Sequence, residues 1–440
     1  MKLFLISLFS LLFHFQAKAS FGEMFGASTI NMLNANQMTT HAPNPGNNYY
    51  APALLSTHSD NTYISFSTSL VAHNFDDIDN IVIKNEISHG SGTSEEKGSA
   101  NVDLKDFHSI IFNMAKPLGP RGVVGVSVFA PMGHLMELNT GPTYLPNYVM
   151  YTARYNRTHM HLNYAHQFKE SLSGSIGFHS GLQTAASTTF NPSMGGDQNP
   201  SSSETKIKVR PSFGLVLSLA KRWSPRHITT FTYQQEMKNK LDVSVDGESL
   251  SPSILFESQI QNLLFFDPHI FRVGHTLKVQ NFYLTATGEF QLWRNYETPI
   301  SRIKSPNNSG TITPSGDFEG INAKNIFVPK FSILWKTSPR WSYAAGMIFR
   351  QSPLRGDFSG PGNSLDTNSF IFTSGLVHNF SYKKLPLELA VAYQYHLLDS
   401  KRVDKTEGLE DGSEGQKIGS GGYNIGGNLH VLSLGLGMKF

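Results

Sequence analysis

Hydrophobic positions in this chain alternate with polar or small ones, again and again, in segments of roughly ten residues. In the last segment Leu432, Leu434, Leu436, Met438 and Phe440 share one face, and Ser433, Gly435, Gly437 and Lys439 share the other. Phe282, Leu284, Ala286, Phe290 and Leu292 oppose Tyr283, Thr285, Thr287, Glu289 and Gln291; Leu387, Leu389, Val391, Tyr393 and Tyr395 oppose Glu388, Ala390, Ala392, Gln394 and His396. A period of two marks a strand with two unlike faces. From residue 61 onward the pattern predicts about fourteen strands, at 61–74, 103–116, 122–130, 147–168, 171–187, 206–221, 226–238, 268–281, 282–297, 325–336, 341–352, 368–382, 385–400 and 429–440. The links alternate between short ones, such as Lys169-Glu170 and Lys383-Lys384, and long ones rich in Gly, Ser, Asn, Asp and Pro. The long links 75–102, 131–146, 188–205, 239–267, 298–324, 353–367 and 401–428 are expected to be extracellular loops, and the short ones periplasmic turns.

Past residue 19 no apolar run exceeds roughly five residues, whereas a spanning helix needs 18 or more. A barrel avoids that requirement, because only alternate side chains of each strand meet lipid. The first residues read as a secretory signal: Lys2, an apolar stretch from Leu3 to Phe15, and small residues at Ala17 and Ala19. Cleavage is expected after Ala19. The expectation is therefore an all-β, transmembrane antiparallel barrel of about fourteen strands in the outer membrane, with residues 1–19 a signal peptide and 61–440 the barrel. The 440 residues include no Cys, which excludes disulfides, thiol catalysis and thiolate metal sites. A net charge of +3 gives no reason to expect a nucleic-acid partner.

Residues 20–60 break the pattern. Phe21, Met24, Phe25, Ile30, Met32, Leu33 and Met38 precede a turn-rich stretch with Pro43, Pro45, Gly46 and Pro52. A barrel of this size has a lumen that needs filling, so this segment is expected to be a hatch, or plug, inside it; the alternative is a disordered periplasmic leader, against which its apolar content argues. Phe21, Met24 and Phe25 are candidates for lining an apolar pocket, flexible Met suiting varied chains; equally, they could pack the plug against the wall. Arg154 and Arg157 share a strand with opposite parity, so either one lies outside the hydrocarbon zone or a bulge breaks the alternation. An inward Arg157 could meet a carboxylate headgroup, although an ion pair with Glu289 or Glu388 is the plainer expectation for a lumen Arg. His159 and His161 share a face, but no third ligand stands near them in sequence, so no metal site is expected. Nothing matches a catalytic motif such as a Gly-x-Ser-x-Gly elbow, so neither enzyme activity nor a cofactor is expected.

Several short motifs in order resemble the outer-membrane long-chain fatty-acid transporter family (FadL/TodX type). Tyr49-Tyr50-Ala51-Pro52-Ala53-Leu54-Leu55 resembles the family's Asn-Pro-Ala hatch segment, with Ala51 in place of Asn; Tyr50, Pro52 and Ala53 carry the match. Phe129-Ala130-Pro131-Met132-Gly133, Phe290 to Tyr296 with Trp293, Gln351-Ser352-Pro353 followed by Asp366 and Gly375, and His430 to Phe440 resemble successive strand ends. The resemblance implies passive uptake of fatty acids or other hydrophobic compounds through an apolar pocket, with lateral exit at a kinked strand. It also implies outer-membrane lipid, lipopolysaccharide and the barrel-assembly machinery as partners, and a monomer. The alternatives are an open diffusion porin for small polar solutes and a non-transport barrel acting as enzyme or adhesin.

Overall fold

The computed structural model describes residues 21–58, 61–76, 78–86, 93–100, 107–132, 147–148, 158–181, 186–190, 203–207, 212–250, 253–296, 302–304, 323–354, 364–403, 410–412, 416–418 and 423–440. The expected signal peptide lies outside them.

Fourteen antiparallel strands close into a barrel. They are β1 Tyr63–Phe75, β2 Phe107–Leu118, β3 Gly122–Met132, β4 His159–Lys169, β5 Leu172–Gly181, β6 Ser212–Ser224, β7 His227–Gln234, β8 His269–Val279, β9 Phe282–Leu292, β10 Ile326–Lys336, β11 Trp341–Arg350, β12 Ser369–Tyr382, β13 Leu385–Val403 and β14 Tyr423–Lys439. Each pairs with its neighbours in sequence. β1 pairs with both β2 and β14, from Tyr63↔Lys439 to Phe75↔Gly427, and so closes the sheet. Every segment that alternation marks as a strand overlaps one strand of this barrel, although residues 147–148, 186–187, 206–207 and 237–238 pair outside it and 149–157 lie outside the described residues. Closure leaves no unpaired edge, as a spanning sheet requires.

The two faces separate as the pattern demands. Ile176, Leu219, Phe331, Phe372 and Leu434 project outward and are exposed, while Ser67, Thr232, Thr285, Ser332, Gln394 and Ser433 point inward and are buried. An outer wall of large apolar side chains suits lipid. Among the described residues no helix is long and apolar enough to cross a membrane.

Four links read as loops contain β-hairpins instead: Ile78–Glu86 with Thr93–Ala100, Ala186–Phe190 with Ser203–Ile207, Met237–Leu250 with Ser253–Asp267, and Glu410–Gly412 with Gln416–Ile418. Beyond the hydrocarbon zone neither face of a strand meets lipid, so alternation fades while backbone pairing continues. Pattern reading misses such extensions for that reason.

The N-terminal segment forms three short helices, α1 Phe21–Phe25, α2 Thr29–Leu33 and α3 Asn47–Tyr50, followed by a 3-10 turn Pro52–His58. Helices this short are not stable alone, and their contacts with the barrel hold them. Ser28 caps α2 by accepting the Asn31 N–H at 3.2 Å. Thr29 N–H donates to Ser67 Oγ on β1 at 3.1 Å, and its hydroxyl meets Ser433 Oγ on β14 at 2.8 Å. Gln37 donates to Ser332 Oγ (2.8 Å), Asn113 to the Ala27 carbonyl (3.0 Å), and Asn163 to Asn48 Oδ1 (2.9 Å). Lumen-facing glycines allow the close approach. A Cβ on Gly435 would fall 2.6 Å from Thr29 Oγ1, and one on Gly375 would fall 2.9 Å from Leu33 Cβ.

Candidate functional site

Charged residues in the middle of three adjacent strands meet α1. Arg272 on β8 stands opposite Glu289 on β9 in register, and its Nε lies 3.4 Å from Glu289 Oε1. Lys330 on β10 forms an ion pair with the same carboxylate, and Glu23 of α1 forms one with Arg272. Two cations thus face two carboxylates. Arg272, Glu289 and Lys330 are all buried, where a charge persists only if paired.

The N-terminal segment ties into this network with its polar groups and rings. Tyr49 Oη donates to Glu23 Oε1 at 2.8 Å, and Lys330 Nζ donates to the Asn36 carbonyl at 2.9 Å. The Arg272 guanidinium lies 5.2 Å from the Tyr49 ring, and Lys330 Nζ 5.4 Å from the Tyr50 ring, distances at which the ring face attracts a cation. Burial, with the Glu289 charge adding to it, pushes the Tyr50 phenol well above its ordinary value. Tyr50 therefore stays a neutral donor, and its hydroxyl donates to the Gly22 carbonyl.

Beside the charges lies an apolar cavity. Met24 of α1 faces Phe266, Ile270, Trp293, Val328, Ile348 and Ile371 of the wall, while Glu23, Glu289, Lys330 and Arg350 give it polar margins. Phe266 comes from the base of the 237–267 hairpin and packs on Trp293 and Tyr296 at ring-centroid distances of 5.7 and 5.6 Å. Trp293 Nε1 donates to Gln291 Oε1 at 2.9 Å, and Arg350 pairs with Asp366 at 3.3 Å. The space left free is about 40 Å3, room for a few water molecules and far too little for an acyl chain.

Of the residues singled out in the sequence, Met24 lines this cavity. Phe25 is buried instead against His396, with ring centroids 5.7 Å apart. Phe21 opens α1. Arg157 and Arg154 lie outside the described residues, as does any bulge between them. Tyr50 sits beneath Lys330, and Pro52 opens the 3-10 turn in which Ala53 is buried. Leu55 of that turn packs on Val123 and Ala165, toward the end of the barrel that carries the short turns. The expected Arg–Glu289 pair exists, made by Arg272. Glu388 takes a hydrogen bond from Tyr63 instead. His159 and His161 do share a face, and the β4–β5 register sets His179 opposite His161, a third imidazole that sequence spacing did not place there.

Glu23, Arg272 and Lys330 are the site residues that sequence reading passed over. The signal was present: a charged residue in mid-strand with lumen parity, and opposite signs on neighbouring strands. It becomes decisive only once β8, β9 and β10 are known to be adjacent.

No family model and no curated sequence matches the chain. Among solved structures, it is similar to a Pseudomonas aeruginosa FadL homologue, with a TM-score of 0.61 and 14% identity over 96% of this chain and 98% of that one. It is also similar to the toluene transporters TbuX of Ralstonia pickettii (TM-score 0.51, 11% identity, 95% of this chain and 99% of that one) and TodX of P. putida (TM-score 0.51, 12% identity, the same shares). At these identities the shared property is the fold.

Proposed function

We propose that this chain, which has the fold of the FadL and TodX channels, is an outer-membrane channel for passive uptake of long-chain fatty acids or other hydrophobic compounds. The observation that carries the reading is the apolar cavity between α1 and the wall, with Lys330 and Glu23 at its margin and Arg272 paired to that Glu23. Pockets for amphiphiles are mostly apolar with a few placed polar groups. A carboxylate leaving water needs a cationic or donor partner.

In this reading residues 20–60 are the hatch. Glu23 occupies the position on Arg272 that a ligand carboxylate takes when α1 withdraws, so one anion replaces another and the buried charges stay balanced. The acyl chain then lies along Phe266, Ile270 and Ile371 of the wall. Lateral exit through the wall completes the route, because it spares the chain a passage through the aqueous periplasm. Lipopolysaccharide, which blocks direct partitioning of amphiphiles, supplies the need for such a route.

The test is uptake of a labelled long-chain acid by cells carrying the protein, compared with vector-only cells. Uptake above the vector control, lowered by Ile371→Trp, supports the channel. Uptake equal to the control, together with a steady ionic current in planar bilayers, identifies an open porin instead.

A further inference from the structure

Strands β4 and β5 bring three imidazoles together on the lumen face. His159 and His161 alternate along β4, and His179 on β5 is the register partner of His161. All three are fully buried. One ring nitrogen from each can be chosen so that the three lie within 4.8 Å of one another, the one such group of three among the described residues. Two further details bear on what the cluster holds.

The first is an outer partner. His179 Nε2 lies 2.8 Å from the Gln235 carbonyl oxygen, which can only accept, so Nε2 carries the proton and Nδ1 keeps its lone pair. A carbonyl on the far nitrogen is the arrangement that orients a metal-ligating histidine. That Nδ1 lies 3.0 Å from His159 Nε2. The separation suits an N–H···N hydrogen bond, and it is also close to that of two nitrogens on one ion, since ligands about 2.1 Å from a metal sit roughly 3.0–3.4 Å apart.

The second detail is His161. Neither of its ring nitrogens has a hydrogen-bond partner, although the side chain is wholly buried. A neutral imidazole has a donor and an acceptor to satisfy, and leaving both unmet in an apolar setting is costly. Its ring is instead packed against Tyr49 of α3 at 4.6 Å and His159 at 4.6 Å. Ring packing explains why the site is closed to water, and it gives the nitrogens nothing.

We propose that His159, His161 and His179 form a binding site for one first-row divalent transition-metal ion of the zinc, nickel or cupric class. Imidazole nitrogens suit these ions, whereas magnesium and calcium require oxygen ligands that the cluster lacks. Three neutral ligands leave the ion its full charge and a fourth position for water or an anion. Because Tyr49 stacks on His161, occupancy stiffens the wall against which α3 rests. The Tyr49 ring that packs on His161 also lies against Arg272, so the histidines adjoin the ion-pair network through one shared side chain, and metal binding is read directly instead of through uptake.

The experiment uses the full chain, purified in detergent without a polyhistidine tag and stripped with a chelator, and titrates Zn2+ by calorimetry. One ion per chain is expected. His161→Gln should weaken binding by at least about 100-fold, since even an outer-shell partner contributes 10–100-fold. His275→Gln, on an imidazole that lies among exposed residues and contacts His227 and Thr229, should leave binding unchanged. X-ray absorption of the loaded wild-type protein, which needs no variant to fold, should show three nitrogen ligands. Absence of stoichiometric binding, binding unaffected by His161→Gln, or an oxygen-only shell would each overturn the proposal, whatever the uptake assay reports.

Discussion

Glu23 and Arg272 form an ion pair across the lumen, one from the first helix and the other from the middle of the wall. It is the N-terminal segment's one full charge placed on the barrel's own charged residues. A conservative change at Glu23 should therefore loosen α1 without dismantling the rest. Glu23→Gln leaves Arg272 with Glu289 alone, so ion conductance in planar bilayers should rise, and a labelled fatty acid should bind about tenfold tighter, a gain of roughly 1.4 kcal/mol. Unchanged binding with unchanged conductance would show that Glu23 does not hold the ligand's place.

Removing the shared carboxylate should be far more damaging. Glu289→Gln leaves Arg272 and Lys330 as buried cations with only Glu23 between them. Loss of one partner from a buried pair costs about 3–5 kcal/mol, so the urea midpoint of the refolded barrel should fall sharply. Glu289→Gln together with Lys330→Met removes the second orphan and should recover a measurable part of that loss.

The seat of α2 depends on the absence of a side chain at position 435. Gly435→Ala places a Cβ 2.6 Å from Thr29 Oγ1 and 2.8 Å from Thr29 Cβ. The helix must shift, and conductance should rise. Adding Thr29→Gly removes both contacting atoms along with the Ser433 bond, so the double variant should conduct less than the two single effects add up to. Such compensation between touching residues is what a double-mutant cycle detects. Conductance that reaches that sum in the double variant would mean that the strand, not the helix, had moved.

The two faces of β10 should answer differently to one charge. Phe331 points outward and is half-exposed, while Ser332 is buried and bonded to Asn34 and Gln37. Phe331→Lys should cost about 2–4 kcal/mol if the residue lies near the midplane, read as a shifted urea midpoint for folding into vesicles. Ser332→Ala takes a partner from buried Asn34 and Gln37, a loss of about 1–3 kcal/mol that falls on the N-terminal segment, and it should raise conductance.

The strands were legible because lipid on one side and a polar lumen on the other impose a period of two on every spanning segment, as Leu432 to Phe440 displays. The N-terminal segment was legible only by exclusion. Its apolar residues drew notice, yet much of its contact with the wall is polar: Asn34, Asn36, Gln37 and Asn48 carry many of the bonds to the barrel. Such a run reads as turn or loop in isolation, since Asn has no periodic partner until the wall is in place. The His159–His161–His179 group was hidden for a related reason. Strand register sets His179 against His161, and register follows from turn geometry, which spacing does not reveal.

Thr29 touches both β1 and β14, the two strands that close the sheet. Those strands meet across nearly the whole length of the chain, as Ser69↔Ser433 and Tyr63↔Lys439. Closing so long a loop is entropically unfavourable and kinetically slow. The Thr29 end of α2 has no complete seat until that closure, because one of its two bonds goes to each strand. Thr29 therefore settles late in assembly and then acts as a clasp across the seam where the two ends of the sheet meet.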